Sequence, residues 1–453
     1  MWFRRDLRLH DNPALLAAAS GDGEVVPLFV LDQNLWGPAG DRRRAYLADS
    51  VRALDCSIDG SLVVRHGDPV ETVVSVARTA GADTVHIAAD LQPYGRARDE
   101  AVEKALAGAG IDLVRTGSPY AVAPGRVRKG DGDPFKVYTP FFRAWMSHGW
   151  RAPAPAPGTV GWTAPLADQG MPSVPRIEDL PVAGEPEARR IWAEFLASGA
   201  PGSGVGGYGT NRERPDLPGT TRMSVHLKYG EVHPRTMLAD LDTVPEDQRA
   251  GAATLRGELA WRDFYADVLF HRPDSAREYY RPEFARMRYD TGTAAGLHLQ
   301  AWQQGRTGYP IVDAGMRQLL TEGWMHNRLR MIVGSFLVKD LHLEWTQGAR
   351  WFMRQLVDGE LSSNQHGWQW IAGSGTDAAP YFRVFNPTGQ GEKFDPRGDY
   401  VRRYVPELRH VDGKRIHTPW DVPGAYDHGY PRPVVDHAAE RREALGRFAE
   451  LRD

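Results

Sequence analysis

Short apolar, β-branched runs punctuate the first part of the chain, at Val25–Leu31, Leu62–Arg65, Thr84–Ala88 and Ile111–Val114. Between them lie Ala-rich stretches with helical spacing, Val70–Thr79 and Arg96–Leu106. Runs of this length predict strands, and strands alternating with helices predict a parallel sheet covered by helices. Trp2-Phe3 adds the remnant of a further strand whose apolar beginning is missing, Met1 standing directly before it. Residues 1–125 are therefore expected to form a Rossmann-like α/β domain.

From 126 to 185 the pattern breaks into Pro- and Gly-containing sequence such as Ala152-Pro153-Ala154-Pro155-Ala156-Pro157. Proline removes a backbone donor and clashes inside a helix, so this segment predicts an interdomain linker. After it helical periodicity takes over. Ile191, Phe195 and Leu196 share a face, Pro310-Ile311-Val312 opens a helix that ends near Gly323, and Asn327–Leu341 and Trp345–Val357 continue in the same style. Residues 186–453 predict an all-α domain.

Composition narrows the function classes. A length of 453 residues suits two or three domains, and 42% hydrophobic with 25% charged residues suits a packed core. Lys plus Arg number 55 and Asp plus Glu 58, a net of −3, so any nucleic-acid surface must be local. The single Cys56 excludes an internal disulfide and cysteine-built zinc or iron–sulfur sites; it fits a reducing cytoplasm, and no metal is expected. No apolar run approaches the roughly 18 residues of a membrane span, and no apolar segment follows the Arg-rich start. Neither membrane insertion nor secretion is expected.

Gly204-Val205-Gly206-Gly207-Tyr208-Gly209 fits the dinucleotide fingerprint in letters, but it follows a helical stretch, which argues against that use. Gly219-Thr220-Thr221-Arg222-Met223-Ser224 offers hydroxyls, backbone donors and a guanidinium suited to a diphosphate; an ordinary loop and helix cap is the alternative. Signatures of P-loop NTPases, zinc proteases and simple esterases are missing from the sequence. Fourteen tryptophans stand out, and several cluster late: Trp324, Trp345, Trp351, Trp368 and Trp370, with Asp358, Glu360 and Asn364 among them. Core packing is the default for any one of them. On helices, Asn327, Arg330 and Met331 share one face, as do Glu258 and Trp261. His326 alone suggests a satisfied helix histidine, and Arg330 with Asp358 a structural ion pair.

Trp2-Phe3-Arg4-Arg5-Asp6-Leu7-Arg8-Leu9-His10-Asp11-Asn12-Pro13-Ala14-Leu15 resembles the opening of the photolyase/cryptochrome family. So do Gly257 through Tyr265, Gly308-Tyr309-Pro310-Ile311-Val312-Asp313-Ala314, Trp324 through Met331, Trp368-Gln369-Trp370, and Gly375 through Arg383 to Phe385-Asn386-Pro387. These stretches lie in family order along essentially the whole chain. Met325-His326-Asn327-Arg328-Leu329-Arg330-Met331 is similar to class I cyclobutane pyrimidine dimer photolyases, whereas (6-4) photolyases carry a histidine pair in this region.

The resemblance implies an N-terminal antenna domain and an all-α C-terminal domain that binds FAD, with light-driven repair of damaged DNA by a bacterial-type cytoplasmic monomer. It places Tyr208, Thr220, Thr221, Arg222, Met223 and Ser224 around the flavin nucleotide. Asp358 and Glu360 fall near the isoalloxazine, Arg330 pairs with Asp358, and Asn364 sits beside flavin N5. Trp261 and Trp370 match the aromatic walls that clasp a flipped-out dimer. Glu258 matches the carboxyl group on the thymine edge, Asn327 and Met331 line the cavity, and Arg212, Arg328 and Gln390 contact the DNA. In the antenna domain Gln92 through Asp99 looks more like the binders of 8-hydroxy-deazaflavin than of folate, with a flavin, folate or no antenna chromophore as the alternatives. Trp368 and Trp345 match the inner members of the tryptophan relay that photoreduces FAD. The third falls near Gly292, where there is no tryptophan, leaving Tyr289 or Trp351 as terminal donor, or a relay that stops at Trp345. A cryptochrome-type blue-light photosensor is the alternative function.

Overall fold

Residues 1–21, 23–198, 202–376 and 382–451 are described in the computed structural model. They fall into two compact units: Met1–Ala200 with Gly204–Gly206 and Thr221–Pro273, and Pro201–Ser203 with Gly207–Thr220 and Asp274–Asp453.

The first unit carries the expected parallel strands. β1 (Trp2–Phe3), β2 (Leu28–Leu31) and β3 (Val63–His66) pair in parallel in that order, and β4 (Thr84–Ile87) pairs in parallel with β5 (Asp112–Arg115). The predicted helices appear as Pro69–Thr79 and Pro93–Ala107. Asp68 caps the former by accepting the Val70 N–H at 2.8 Å, with proline in the first helical position, where its missing donor costs nothing. Leu28, Val30 and Val63 of the strands meet Val73, Val76, Val102 and Leu106 of these helices in one buried core.

The expectation of an interdomain linker over 126–185, too rich in proline to sustain a helix, is corrected in two places. Tyr138–His148 is a helix, burying Phe141 and Trp145, because its apolar residues recur at i and i+4 and Pro140 lies in the first turn, which tolerates proline. Further on, Val64 N–H donates to Asp168 Oδ1 at 2.8 Å, His66 N–H to Gln169 Oε1 at 2.8 Å, and Gln169 N–H to the Val64 carbonyl at 3.0 Å. The polar edge of β3 is thereby covered. Residues 126–185 belong to the first unit, and the compact division does not fall at 125/126 or 185/186.

The same unit contains the long helix Arg249–His271. Its buried Asp263 accepts the Val122 N–H at 2.9 Å and the Trp145 indole N–H at 3.0 Å, and one turn on Asp267 accepts the Gly125 N–H at 2.7 Å. Two carboxylates at i and i+4 thus bolt one helix face to segment 122–125. Gly125 has φ +83°, and a Cβ there would lie 2.8 Å from the Phe270 ring, so glycine is required on both counts.

The second unit is helical. Pro310–Glu322 ends where Gly323 turns left-handed, and Asn327–Lys339, Trp345–Gln355 and Leu361–Ala372 follow. Trp302, Met316, Leu329, Val333, Phe336, Trp345, Phe352 and Trp368 belong to its core. The Gly-rich motif is the helix Gly204–Asn211, and the element before it among the described residues is the helix Glu185–Ala197 rather than a strand, which argues against the dinucleotide turn. Among the described residues no cluster of His, Cys, Asp or Glu is placed to hold a metal ion, and no helix is long and apolar enough to cross a membrane.

Asp263 generates a prediction. Burial pushes its pKa up from 3.8 to about 7, against its hydrogen bonds from Val122 and Trp145 and the Arg262 charge. The folded state therefore keeps a proton that the unfolded chain releases near 3.8, so this contribution to stability is complete below that pH and is lost as pH rises to about 7. Asp263→Ala strands two buried donors and should cost about 1–3 kcal/mol for each. Asp263→Asn keeps an acceptor and should remove this part of the pH dependence; urea unfolding across that range checks both.

Candidate functional site

On the Arg249–His271 helix the face turned away from Asp263 and Asp267 carries Glu258 and Trp261, three residues apart and both half-buried. Trp261 stacks on Tyr138 with ring centroids 3.6 Å apart and planes 7° from parallel. The Tyr138 hydroxyl donates to the Gly257 carbonyl at 2.7 Å, which fixes the tyrosine against this turn. Phe264 and Tyr265 add edge contacts at 5.7 and 5.3 Å. Trp261 is thus a rigid plate backed on one face, suited to stacking a planar ring. Tyr138 was missed because it lies in the segment read as linker; its place in Tyr138-Thr139-Pro140-Phe141-Phe142 was the available signal.

Thr221 to Ser224 of the same unit form the turn into the short helix Ser224–Tyr229. The Met223 N–H donates to Thr221 Oγ1 at 3.2 Å, Met223 is buried, and Arg222 and Ser224 are exposed. Arg222 has φ +52°, a left-handed conformation that costs a side-chain-bearing residue roughly 1–2 kcal/mol.

In the second unit, Arg330 donates through one Nη to Asp358 Oδ2 at 2.7 Å and through Nε to the Met325 carbonyl at 2.8 Å. The sequence-derived pair therefore exists. Asp358 Oδ1 is buried and has no protein partner among the described residues. A buried carboxylate oxygen left in this state is costly unless a donor reaches it. Glu360, also buried, precedes the helix Leu361–Ala372, which carries Asn364, Trp368 and Trp370. Asn364 and Trp368 share a face at i, i+4, and the Asn364 amide donates to the Ala349 carbonyl at 3.1 Å. Tyr208 is buried, with the Arg212 guanidinium 5.8 Å from its ring centre; Thr220 is half-buried. A flavin ring presents an N–H donor, so the open oxygen of Asp358 beside a buried Glu360 fits FAD.

Asn327 is exposed at the first position of its helix, and Met331 is half-buried one turn on. His326 caps that helix, its Nδ1 accepting the Arg328 N–H at 3.1 Å. Burial, with the charges of Arg328 and Arg330, lowers its pKa to about 3, so it is a neutral cap. Arg328 forms an ion pair with Glu213 and lies 4.4 Å over the Phe394 ring; Glu213 is also 3.8 Å from Arg212. Both arginines expected to meet DNA thus share one carboxylate that sequence reasoning overlooked. Gln390 is half-buried on the helix Pro387–Phe394. Trp370 is half-buried, with the Arg383 guanidinium 5.5 Å from its ring centre. Of the stretch Gly375 to Arg383, Asp377 to Tyr381 lie outside the described residues.

Trp345 and Trp368 are both buried. Gly348 lets their two helices meet, since a Cβ there would lie 2.2 Å from the Trp368 ring. Trp302 and Phe352 contact Trp368 at 6.1 and 4.9 Å. Gly292 opens the helix Gly292–Gln303 at φ +82°. Tyr289 and Trp351 are half-buried against the core, but the ring 6.2 Å from Trp345 is that of Tyr279.

Comparison with known proteins agrees with this geometry. Residues 1–158 match the family model described as DNA photolyase, and residues 255–450 the one described as the FAD binding domain of DNA photolyase. A deoxyribodipyrimidine photo-lyase of Streptomyces griseus is 42% identical, the match covering 99% of this chain and 98% of the relative. The crystal structure of a bacterial class III photolyase from Agrobacterium tumefaciens aligns with TM-score 0.90 and 36% identity over 100% of this chain and 97% of that one. An archaeal photolyase from Sulfolobus tokodaii, solved with two FAD molecules, aligns with TM-score 0.84 and 29% identity over 99% of both chains. With likeness running the full length and the strands, helices and Arg330–Asp358 pair in place, the chain belongs to the photolyase/cryptochrome family.

Proposed function

We propose that this protein is a deoxyribodipyrimidine photo-lyase that uses light and FAD to split cyclobutane pyrimidine dimers in DNA. The observation that carries the reading is Trp261, a plate backed by Tyr138 at 3.6 Å with Glu258 one turn before it. Bound and reduced, FAD supplies the light-absorbing one-electron donor.

The residues do the rest. Tyr208, Thr220, Thr221, Arg222, Met223 and Ser224 would hold the nucleotide part of the cofactor. Asp358, oriented by Arg330, would accept a ring N–H at Oδ1, with Glu360 beside it. Asn364 would meet flavin N5, where a neutral amide favours a reduced anionic ring more than a carboxylate would. A dimer stacks and pairs poorly, so flipping it out of the duplex costs less than flipping an intact base. Trp261 and Trp370 each offer it a π face that needs no hydrogen bond. Glu258 bonds the pyrimidine edge and is of most value once the dimer has gained negative charge. Asn327, touching cofactor and lesion, and Met331 complete the lining. Arg212, Arg328 and Gln390 reach the backbone. Trp368 and Trp345 relay electrons for photoreduction. In the α/β unit, the stretch Gln92 through Asp99 favours an 8-hydroxy-deazaflavin antenna over folate.

The direct test illuminates the flavin-loaded protein with an oligonucleotide carrying one thymine dimer and chromatographs the product. Recovery of the intact thymines is expected; none, with reduced flavin bound, would leave a photosensor as the better reading. Glu258→Ala should lower the quantum yield of repair more than lesion affinity, because its carboxyl acts on charge that appears only after excitation. Trp261→Ala should instead weaken lesion binding by about 1–3 kcal/mol. Lesion affinity should fall as salt rises, and Glu213→Gln, which frees Arg328 and Arg212, should tighten binding and steepen that dependence; filter binding across a salt series reads both.

A further inference from the structure

The relay expected from the sequence lacks its outer tryptophan, and the structure offers a replacement that is neither Tyr289 nor Trp351. We propose that Tyr279, hydrogen-bonded to Glu344, is the terminal electron donor: it reduces oxidised Trp345 and passes its phenolic proton to Glu344. This rests on the reading that Trp368 and Trp345 serve light-driven flavin reduction.

Three observations carry it. The Tyr279 ring meets Trp345 edge to face, centroids 6.2 Å apart and planes at 75°. The Tyr279 hydroxyl donates to Glu344 Oε1 at 2.9 Å, and Glu344 immediately precedes Trp345 in the chain. The indole N–H groups of Trp345 and Trp351 are buried and have no acceptor among the described residues.

The third point separates the candidates. An indole that has lost an electron is a cation; without a base at its N–H it keeps its proton and remains a strong oxidant. That suits Trp345 as a carrier and disfavours Trp351 as an end point. A phenol behaves differently, because its oxidised form is a far stronger acid than phenol itself and is stabilised once the proton leaves. Among the described residues, Tyr279 combines contact with Trp345 and a carboxylate within hydrogen-bond reach. Burial pushes the Tyr289 pKa up to about 12, and the ring that meets Trp345 is that of Tyr279.

The step balances. Trp345, oxidised by one electron in the light-driven reduction of flavin, takes one electron from Tyr279. The phenolic O–H bond breaks and its proton binds Glu344 Oε1. Trp345 returns to neutral indole, Glu344 becomes a carboxylic acid, and Tyr279 is left as a neutral phenoxyl radical. Return of the electron to the flavin side must then reverse a proton transfer as well.

Laser-flash absorption and electron paramagnetic resonance of the protein loaded with oxidised FAD, with and without ring-deuterated tyrosine, would identify the radical. The unsubstituted protein and Tyr289→Phe should show a long-lived tyrosyl radical that forms more slowly in D2O. Tyr279→Phe should lose it and leave a shorter-lived tryptophanyl signal, and Glu344→Gln should do the same with the tyrosine in place. A tyrosyl radical persisting in Tyr279→Phe or in Glu344→Gln, or a tryptophanyl radical alone in the unsubstituted protein, would overturn the proposal. Absence of any light-driven flavin reduction would overturn it together with the relay. Dimer repair by the unsubstituted protein after chemical reduction of the flavin tests the underlying function separately.

Discussion

The first unit depends on a carboxyl group that water cannot reach. Asp263 gathers the Val122 N–H and the Trp145 indole on one oxygen, while Asp267 takes the Gly125 N–H one turn later. Backbone and indole donors serve one oxygen of each acid, and Asp263 Oδ1 and Asp267 Oδ2 are buried with no hydrogen-bond partner among the described residues. The arrangement spends a costly buried acid on orientation. With one face of the Arg249–His271 helix committed in this way, the opposite face cannot rotate, and that face holds Glu258 and Trp261. Trp145 closes the loop of dependence: its helix also brings Tyr138 against Trp261, so one hydrogen bond at 3.0 Å and one stack at 3.6 Å keep the plate in place.

Charge follows the opposite logic in the second unit. The chain has a net charge of −3, and Arg212 and Arg328 both meet Glu213. Partly exposed ion pairs are worth little, about 0–1 kcal/mol, so under the proposed DNA contact an exchange of carboxylate for phosphate costs little. The pair also holds Arg328 over Phe394, where its orientation is defined in advance. Arg330 differs because Asp358 is buried, and breaking that pair would strand a charge in the interior.

Much of this organisation was legible in the chain. The strands β2 to β5 and the helices Pro69–Thr79, Pro93–Ala107, Pro310–Glu322, Asn327–Lys339 and Trp345–Gln355 follow from period and punctuation, their apolar residues recurring at strand or helix spacing between turn and capping signals. Arg330 and Asp358 were paired from the resemblance, and they pair in the structure. The helix Tyr138–His148 was hidden because proline-rich sequence follows it and its aromatic residues find their partners more than a hundred positions away. Glu213 was passed over for the same reason, since its partner Arg328 is distant in sequence. Local pattern reports which face is apolar, not what will cover it.

Tyr279 shows that limit most clearly. It sits in the connection after the turn Pro273–Ala276, where no periodicity operates, and counting along the chain toward a missing tryptophan led to Gly292 and Tyr289. What matters for electron supply is a different property, the availability of a base. Buried indoles with no acceptor among the described residues keep their protons when oxidised and so pass charge on. A phenol touching the last of them traps that charge only where a carboxylate waits, and Glu344 is placed there by the start of the helix that also begins with Trp345. In the proposed relay, the indole that passes the charge on and the carboxylate that takes the proton are adjacent residues at one helix start, which couples the electron's last step to a proton's first.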